Sequence, residues 1–232
     1  MTSHPIVDDS SWDNFHRNER FKPVYPLDHI VRQIFSHFPR ERKSREHLRI
    51  LDLGCGAGRH VIFLAREGFE VYGTDISIEA IHAARKWLHE ENLKAVLYQA
   101  EMAEQPFPDN YFDGIICAGV LYYHDISGIE RTISEIHRIL KKQGKMVLLT
   151  RTTDDYRYGK GKKIEENTYL LDINDTNEKG MIMHFFPEGE IREYFKKFDI
   201  ITMEKTETTF SHRQKKNSDW IVVVEKKDEK RS

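Results

Sequence analysis

The sequence predicts an α/β fold built on a doubly wound, mostly parallel sheet of seven strands with an antiparallel edge. Three observations carry the prediction. Short apolar runs alternate with amphipathic segments from Arg49 onward, the rhythm of strands and crossover helices in a parallel sheet. The first run passes directly into a glycine-rich turn, Gly54-Cys55-Gly56-Ala57-Gly58. The second run ends at an acid, Asp75, 21 residues after Gly54.

Taken in order, Leu27, Ile30, Val31, Ile34, Phe35 and Phe38 share one helical face between Pro26 and Pro39, so a helix precedes the sheet. Five apolar runs then read as strands: 49–53, 70–74, 95–98, 112–117 and 145–149. Helical spacing fills the gaps, through Val61, Leu64 and Ala65, then Ile81, Ala84 and Leu88, then Ile129, Ile133, Ile136 and Leu140. The last of these helices is expected to stop at Lys141-Lys142-Gln143-Gly144, with cations in its final turn and a glycine beyond. Residues 187–197 read as a further helix. Two strand-like runs follow, 198–203 and 220–224, expected to pair antiparallel at a sheet edge across the polar stretch 206–219. The segment 151–186 mixes aromatic and polar residues and far exceeds the roughly 2 to 6 residues usual for a connection, so it reads as a substrate-region insertion. The chain is read as one domain over 1–232: a helical lead-in or cap (1–48), a core (49–150), the insertion (151–186) and a C-terminal helix with strands (187–226).

Composition narrows the class. In 232 residues, 36 Lys and Arg face 38 Asp and Glu for a net charge of −2, and 39% are hydrophobic, so a sizeable core is available and a polyanionic partner such as nucleic acid is not indicated. Cys55 and Cys117 form no CxxC pair, which points to reduced thiols and to no metal site. No window reaches the roughly 20 apolar residues of a membrane span, and the start lacks a charged and then apolar leader. These features read as a soluble, cytoplasmic protein, monomer or homodimer, without a membrane partner. The basic run Arg40-Glu41-Arg42-Lys43-Ser44-Arg45 reads as solvated surface before the first strand.

Glycines at alternate positions let the backbone take positive φ and let a ligand approach where a Cβ would intrude. A helix N-terminus behind them favours an anion. A carboxylate at the end of the second strand can accept both hydroxyls of a ribose, so loop and acid together point to an adenosine-containing cofactor. The dinucleotide spacing G-x-G-x-x-G would need glycine where Arg59 stands, and Gly58 comes one residue too early, which disfavours NAD.

The run Leu51-Asp52-Leu53-Gly54-Cys55-Gly56-Ala57-Gly58 instead resembles the first motif of the class I methyltransferases that use S-adenosyl-L-methionine. The resemblance extends from about Trp12 to Lys226, and is nearest to short single-domain bacterial enzymes acting on small molecules, including the tellurite-resistance type. It implies a Rossmann-like methyltransferase fold, S-adenosyl-L-methionine as cofactor, S-adenosyl-L-homocysteine as product, and no required metal. It further implies that Asp52, Gly54, Gly56 and Gly58 wrap the methionine portion and that Asp75 holds the ribose beside Ile76 and the adenine. Glu101 and Met102 would take the adenine amino group and ring, although Glu101 stands where aspartate is commoner. Ala118, in Ala118-Gly119-Val120-Leu121, would lie beneath the sulfonium.

Methyl transfer from a sulfonium is an in-line displacement, so the protein mainly aligns the acceptor and excludes water. A base is needed only if the acceptor must lose a proton. His124, in Leu121-Tyr122-Tyr123-His124, is the first candidate, the alternative being a histidine that only orders the loop. His184, in Met183-His184-Phe185-Phe186, is the second, with a satisfied structural histidine as its alternative. Trp12, Tyr123, Arg151 and Tyr156 are substrate-side candidates, with packing the alternative for Trp12 and Tyr123, and scaffold or solvated surface the favoured alternative for Arg151 and Tyr156. Trp12, Phe15, Arg20, Phe21 and Tyr25 resemble the lead-in with which such enzymes cover the cofactor. The expected function is methyl transfer to a small-molecule acceptor, with an RNA methyltransferase or a catalytically silent cofactor-binding module as alternatives.

Overall fold

The computed structural model describes residues 12–13, 23–174 and 176–228. Phe15, Arg20 and Phe21 of the lead-in lie outside the described residues. Five strands run parallel: β1 (Arg49–Leu53), β2 (Glu70–Asp75), β3 (Val96–Gln99), β4 (Phe112–Ala118) and β5 (Leu140–Arg151). Numbering the insertion strands β6 (Gly161–Glu165), β7 (Thr168–Leu171) and β8 (Ile182–His184) leaves β9 (Phe198–Phe210) and β10 (Lys215–Lys226) as the antiparallel edge. The main sheet has the order β3-β2-β1-β4-β5-β10-β9. Chain direction across the sheet reverses between β1 and β4, the switch point at which open α/β sheets leave a crevice beyond the strand carboxyl ends.

Both faces are covered. Helices α1 (Asp28–His37), α2 (Arg59–Arg66) and α3 (Ile78–Glu90) enclose a core with Ile50, Val71 and Ile116. On the opposite face, α4 (Ile126–Ile139) and α5 (Glu188–Tyr194) pack with Leu51, Leu53, Ile115 and Leu148. Period-2 alternation along β1 sends Leu51 and Leu53 to the α4 face and Ile50 to the α2 face, so Asp52 shares the side of Ile50. A buried acid is thereby aimed at the start of α2. Among the described residues, no helix is long and apolar enough to cross a membrane.

The insertion is more regular than its composition suggests. It forms a three-stranded antiparallel sheet, β6-β7-β8, whose first hairpin turns through Glu166-Asn167, with Asn167 at φ +54° supplying the left-handed position. Its Leu171, Met183, Phe185 and Phe186 belong to the same buried cluster as Leu51 and Phe112.

Three local expectations are corrected. Helix α4 ends at Ile139, and Leu140 already pairs with Phe112 as the first residue of β5. The left-handed residue of that turn is Gln143, at φ +60°, and Gly144 serves close approach instead, since a Cβ there would lie 2.8 Å from the Lys141 carbonyl oxygen. The stretch 206–219 is ladder rather than connection: β9 and β10 pair from Phe198–Lys226 out to Phe210–Lys215, joined by four residues of which Ser211, His212 and Arg213 have positive φ. Alternating Thr206, Thr208 and Lys216–Glu207 (2.8 Å) make that polar segment a workable hairpin. Finally, the basic run is not all solvated. Arg45 is buried, paired with Glu67 at 3.0 Å and set over the rings of Phe35 and Phe69.

Candidate active site

The glycine loop is built by backbone bonds before any ligand is considered. Gly54 N–H and Cys55 N–H both donate to the Thr74 carbonyl, at 2.8 and 2.9 Å, which folds the chain over the end of β2. The three glycines take φ values of +72°, +53° and +97°, all in the left-handed region. Two of them also permit close packing: a Cβ on Gly54 would meet Val120 Cγ1 at 2.8 Å, and one on Gly58 would meet Ala84 Cβ at 2.9 Å. The middle one ties the loop to the acid. Gly56 N–H donates to Asp75 Oδ2 at 2.8 Å while Ser77 N–H donates to Oδ1 at 2.9 Å. Ser77 Oγ then caps α3 by accepting from Ala80 N–H at 3.1 Å, and donates to Asp13 Oδ1 at 2.6 Å.

On the other side of Asp75, Ala100 N–H donates to the Asp75 carbonyl at 3.0 Å and the Gln99 side chain donates to the Ile76 carbonyl at 2.9 Å. Glu101 and Met102 are carried beside Ile76 by these two bonds. The Glu101 side chain is exposed, and Met102 is half-buried against the core.

Beneath the loop lies a buried carboxyl group with one oxygen left over. Asp52 is 1% exposed, and its Oδ2 has no hydrogen-bond partner. His60 Nδ1 lies 3.7 Å from Oδ1. The Arg59 side chain, directly after the third glycine, makes no hydrogen bond or ion pair among the described residues. Burial pulls its guanidinium pKa down, against the attraction of Asp52 and Tyr122. A buried carboxylate oxygen and a half-buried guanidinium, each unpartnered and in electrostatic reach of one another, match the ammonium and carboxylate of an amino-acid zwitterion. The residues present therefore fit the methionine end of S-adenosylmethionine. Sequence reasoning singled out neither Arg59 nor His60 as functional, though position alone, at the first turn of the helix after a glycine loop, marks both.

The opposite wall forms after β4. Ala118 ends that strand, and Gly119, at φ +78°, donates its N–H to the Leu149 carbonyl at 3.0 Å. The turn Leu121–Tyr123 buries Tyr122, and the Tyr123 hydroxyl donates to Glu178 Oε1 at 2.9 Å from the insertion. Burial raises both phenol pKa values, so both stay protonated donors. Trp12 packs edge-on against Tyr123 at 4.8 Å. Arg151, at the end of β5, donates through Nη1 to both oxygens of Asp219 (2.8 and 2.9 Å) and lies 5.4 Å from the Tyr122 ring.

The remaining candidates separate. His124 follows Tyr123 and packs on the first turn of α4, where a Cβ on Gly128 would touch its Nδ1 at 3.0 Å; burial lowers its pKa. His184 has no exposed surface, and its two ring nitrogens bond Thr168 Oγ1 and Glu190 Oε2, both at 2.8 Å. Tyr156 sits with the edge hairpin, 4.4 Å from the Arg157 guanidinium and 5.5 Å from the Phe210 ring. The fold thus gathers Trp12, Tyr123 and Arg151 around the carboxyl ends of β4 and β5, while His184 is bonded to Thr168 and Glu190 and Tyr156 lies beside the edge hairpin.

Parallel strands in this order, a glycine loop after β1 and an acid closing β2 define a class I methyltransferase fold. Residues 50–144 match the family described as a methyltransferase domain. Among curated relatives, an uncharacterized methyltransferase, YcgJ, of Bacillus subtilis is 33% identical over 108 residues, 46% of this chain and 42% of its own. A ubiquinone biosynthesis O-methyltransferase of Rickettsia akari is 29% identical over 142 residues, 60% of this chain and 54% of its own. The chain spans about half the length of the curated relatives it matches. Among solved structures, a SAM-dependent methyltransferase of Methanosarcina mazei superposes with a TM-score of 0.73 at 24% identity, over 89% of this chain and 100% of that one. TehB of Haemophilus influenzae gives 0.62 at 16% identity, over 94% and 67%. Residues 50–144 thus carry a methyltransferase domain, in a chain that has the fold of the S-adenosylmethionine-dependent methyltransferases.

Proposed function

We propose that this chain transfers a methyl group from S-adenosyl-L-methionine to a small-molecule acceptor by direct in-line displacement. The observation that carries the reading is the buried, unpartnered Asp52 Oδ2 beside the unpartnered Arg59, at the glycine loop. An orphaned buried carboxylate oxygen costs about 1 to 3 kcal/mol unless a donor arrives, so the site is built for a cation. When bound, the cofactor supplies an electrophilic methyl group on a sulfonium. Asp52 then takes the ammonium, Arg59 the carboxylate, and Asp75, fixed by Gly56 N–H and Ser77 N–H, the ribose hydroxyls. Ile76 and Met102 flank the adenine, with Glu101 toward its amino group, and Ala118 supports the sulfonium end.

Trp12 and Tyr123 wall off water on the acceptor side, and Arg151 is held by Asp219 next to Tyr122. His124 is the candidate base, because burial keeps its imidazole in the neutral, proton-accepting form at pH 7. His184 is assigned to the scaffold of the insertion. The small-molecule acceptor is supported by the balanced charge of the chain and by the ubiquinone biosynthesis relative. The test is thermal: S-adenosylhomocysteine should raise the melting temperature and NADH should not, since only a ligand of the folded state stabilises it. With labelled cofactor, a metabolite extract should yield a labelled small product. No shift at saturating S-adenosylhomocysteine refutes the reading, and label in RNA rather than in a small product redirects it.

A further inference from the structure

We propose that His60 is the positioning residue that holds Asp52 ready for the cofactor's ammonium, with its proton placed by the backbone of the lead-in helix. The inference rests on the reading of the glycine loop as the methionine subsite. His60 is the second residue of α2, and a helical side chain leans back toward its own N-terminus, here under the loop. It is 4% exposed, so each ring nitrogen needs an account.

Nε2 lies 3.3 Å from the Leu27 N–H, which donates to it. Leu27 is the N-cap residue of α1, ahead of the helix, where a backbone N–H has no intrahelical acceptor. An imidazole nitrogen that accepts carries no proton, so the neutral ring must bear its hydrogen on Nδ1. Nδ1 faces Asp52 Oδ1 at 3.7 Å. That separation exceeds a direct hydrogen bond but leaves the N–H dipole pointing at the carboxylate in a water-poor setting. Oδ1 is thus drawn toward His60 and Oδ2, without a partner, is left for the ligand. In the other tautomer a lone pair would confront the carboxylate. A backbone group 33 residues upstream in the chain decides between the two.

The roles of the two nitrogens can be separated by amides. Asparagine places a donor near Nδ1 without reaching Leu27, and glutamine places a polar group near Nε2 without serving Asp52. Titrating S-adenosylhomocysteine calorimetrically, His60→Asn should stay within about threefold of the wild-type dissociation constant, whereas His60→Gln and His60→Ala should weaken it about tenfold. A purely structural histidine would give no such rescue by Asn alone. Leu27→Pro supplies an independent arm: Leu27 sits at φ −67°, which proline adopts, so the change removes the N–H while leaving His60 intact. It should weaken binding by about threefold or more. His60→Gln binding as tightly as wild type, or His60→Asn as weakly as His60→Ala, overturns the inference. A wild-type protein that fails to bind S-adenosylhomocysteine overturns instead the cofactor reading, and this inference with it.

Discussion

Replacing Asp75 with asparagine changes one oxygen to a nitrogen and tests both the loop and the ribose site. In the wild type, Gly56 N–H and Ser77 N–H each donate to a different carboxylate oxygen, at 2.8 and 2.9 Å, and the side chain is 8% exposed. An amide has one acceptor oxygen, so whichever way it rotates, one of the two backbone donors meets an NH₂ group. A hydrogen bond to a charged group contributes about 1.5 to 3 kcal/mol, and the surviving bond loses its charge assistance. We expect Asp75→Asn to lower unfolding free energy by about 2 to 3 kcal/mol, read as a fall in the urea midpoint of about 1 M at an m-value near 2 kcal/mol/M. The same exchange removes an acceptor from the ribose hydroxyls, so S-adenosylhomocysteine should bind at least about tenfold more weakly, about 1.4 kcal/mol. Asp75→Ala, which strands both N–H groups, should destabilise more. An unchanged urea midpoint refutes the clamp between loop and strand, and an unchanged dissociation constant refutes the ribose assignment.

Other perturbations have distinct signatures. Asp52→Asn replaces a buried oxygen that has no hydrogen-bond partner, so the ligand-free protein should keep or slightly gain stability by urea unfolding while S-adenosylhomocysteine affinity drops about tenfold or more; a loss of stability without loss of affinity would contradict the assignment. Gly58→Ala puts a Cβ 2.9 Å from Ala84 Cβ and 3.3 Å from its Cα at φ +97°, so backbone strain and overpacking between α2 and α3 should together cost about 2 to 5 kcal/mol in the same assay. Stability should also fall with acid. Burial lowers the pKa of His37, His124 and His184, so the unfolded chain binds these protons first, and the contribution is present above about pH 6.5 and declines as pH falls through that value toward the folded pKa values. His184→Gln should flatten that slope in unfolding curves measured between about pH 7 and pH 5.

The core of the site was legible because its signal is local. Three alternating glycines before a helix need left-handed backbone, and Gly54, Gly56 and Gly58 all take it. Asp75 was legible as the terminus of an apolar run. The turn after α4 misled because glycine has two uses, and at Gly144 the demand was for space, with Gln143 taking the positive φ. In the insertion, β6 is polar and β7 and β8 are only four and three residues long, too short to show a period, and the outer half of the edge hairpin is polar on both strands, so neither offers apolar alternation to read. Arg45 looked like part of a solvated run until Phe35, Phe69 and Glu67, distant in sequence, closed around it.

What the sequence by itself determined is the succession of strands and helices in the main sheet, the glycine loop and the acid that closes it, since these depend on neighbours within a few residues and on the periodicity of apolar side chains. What only the tertiary structure decided is which polar groups are left over. Asp52 and Arg59 are ordinary residues in a list, and stand out because the described fold leaves Asp52 Oδ2 without a hydrogen-bond partner and sets the Arg59 guanidinium within its electrostatic reach. His184 was a candidate base on sequence, and only the fold shows both its ring nitrogens engaged, by Thr168 and Glu190. Satisfaction of a buried polar group is a property of all the chain around it, and no short window of sequence holds that information.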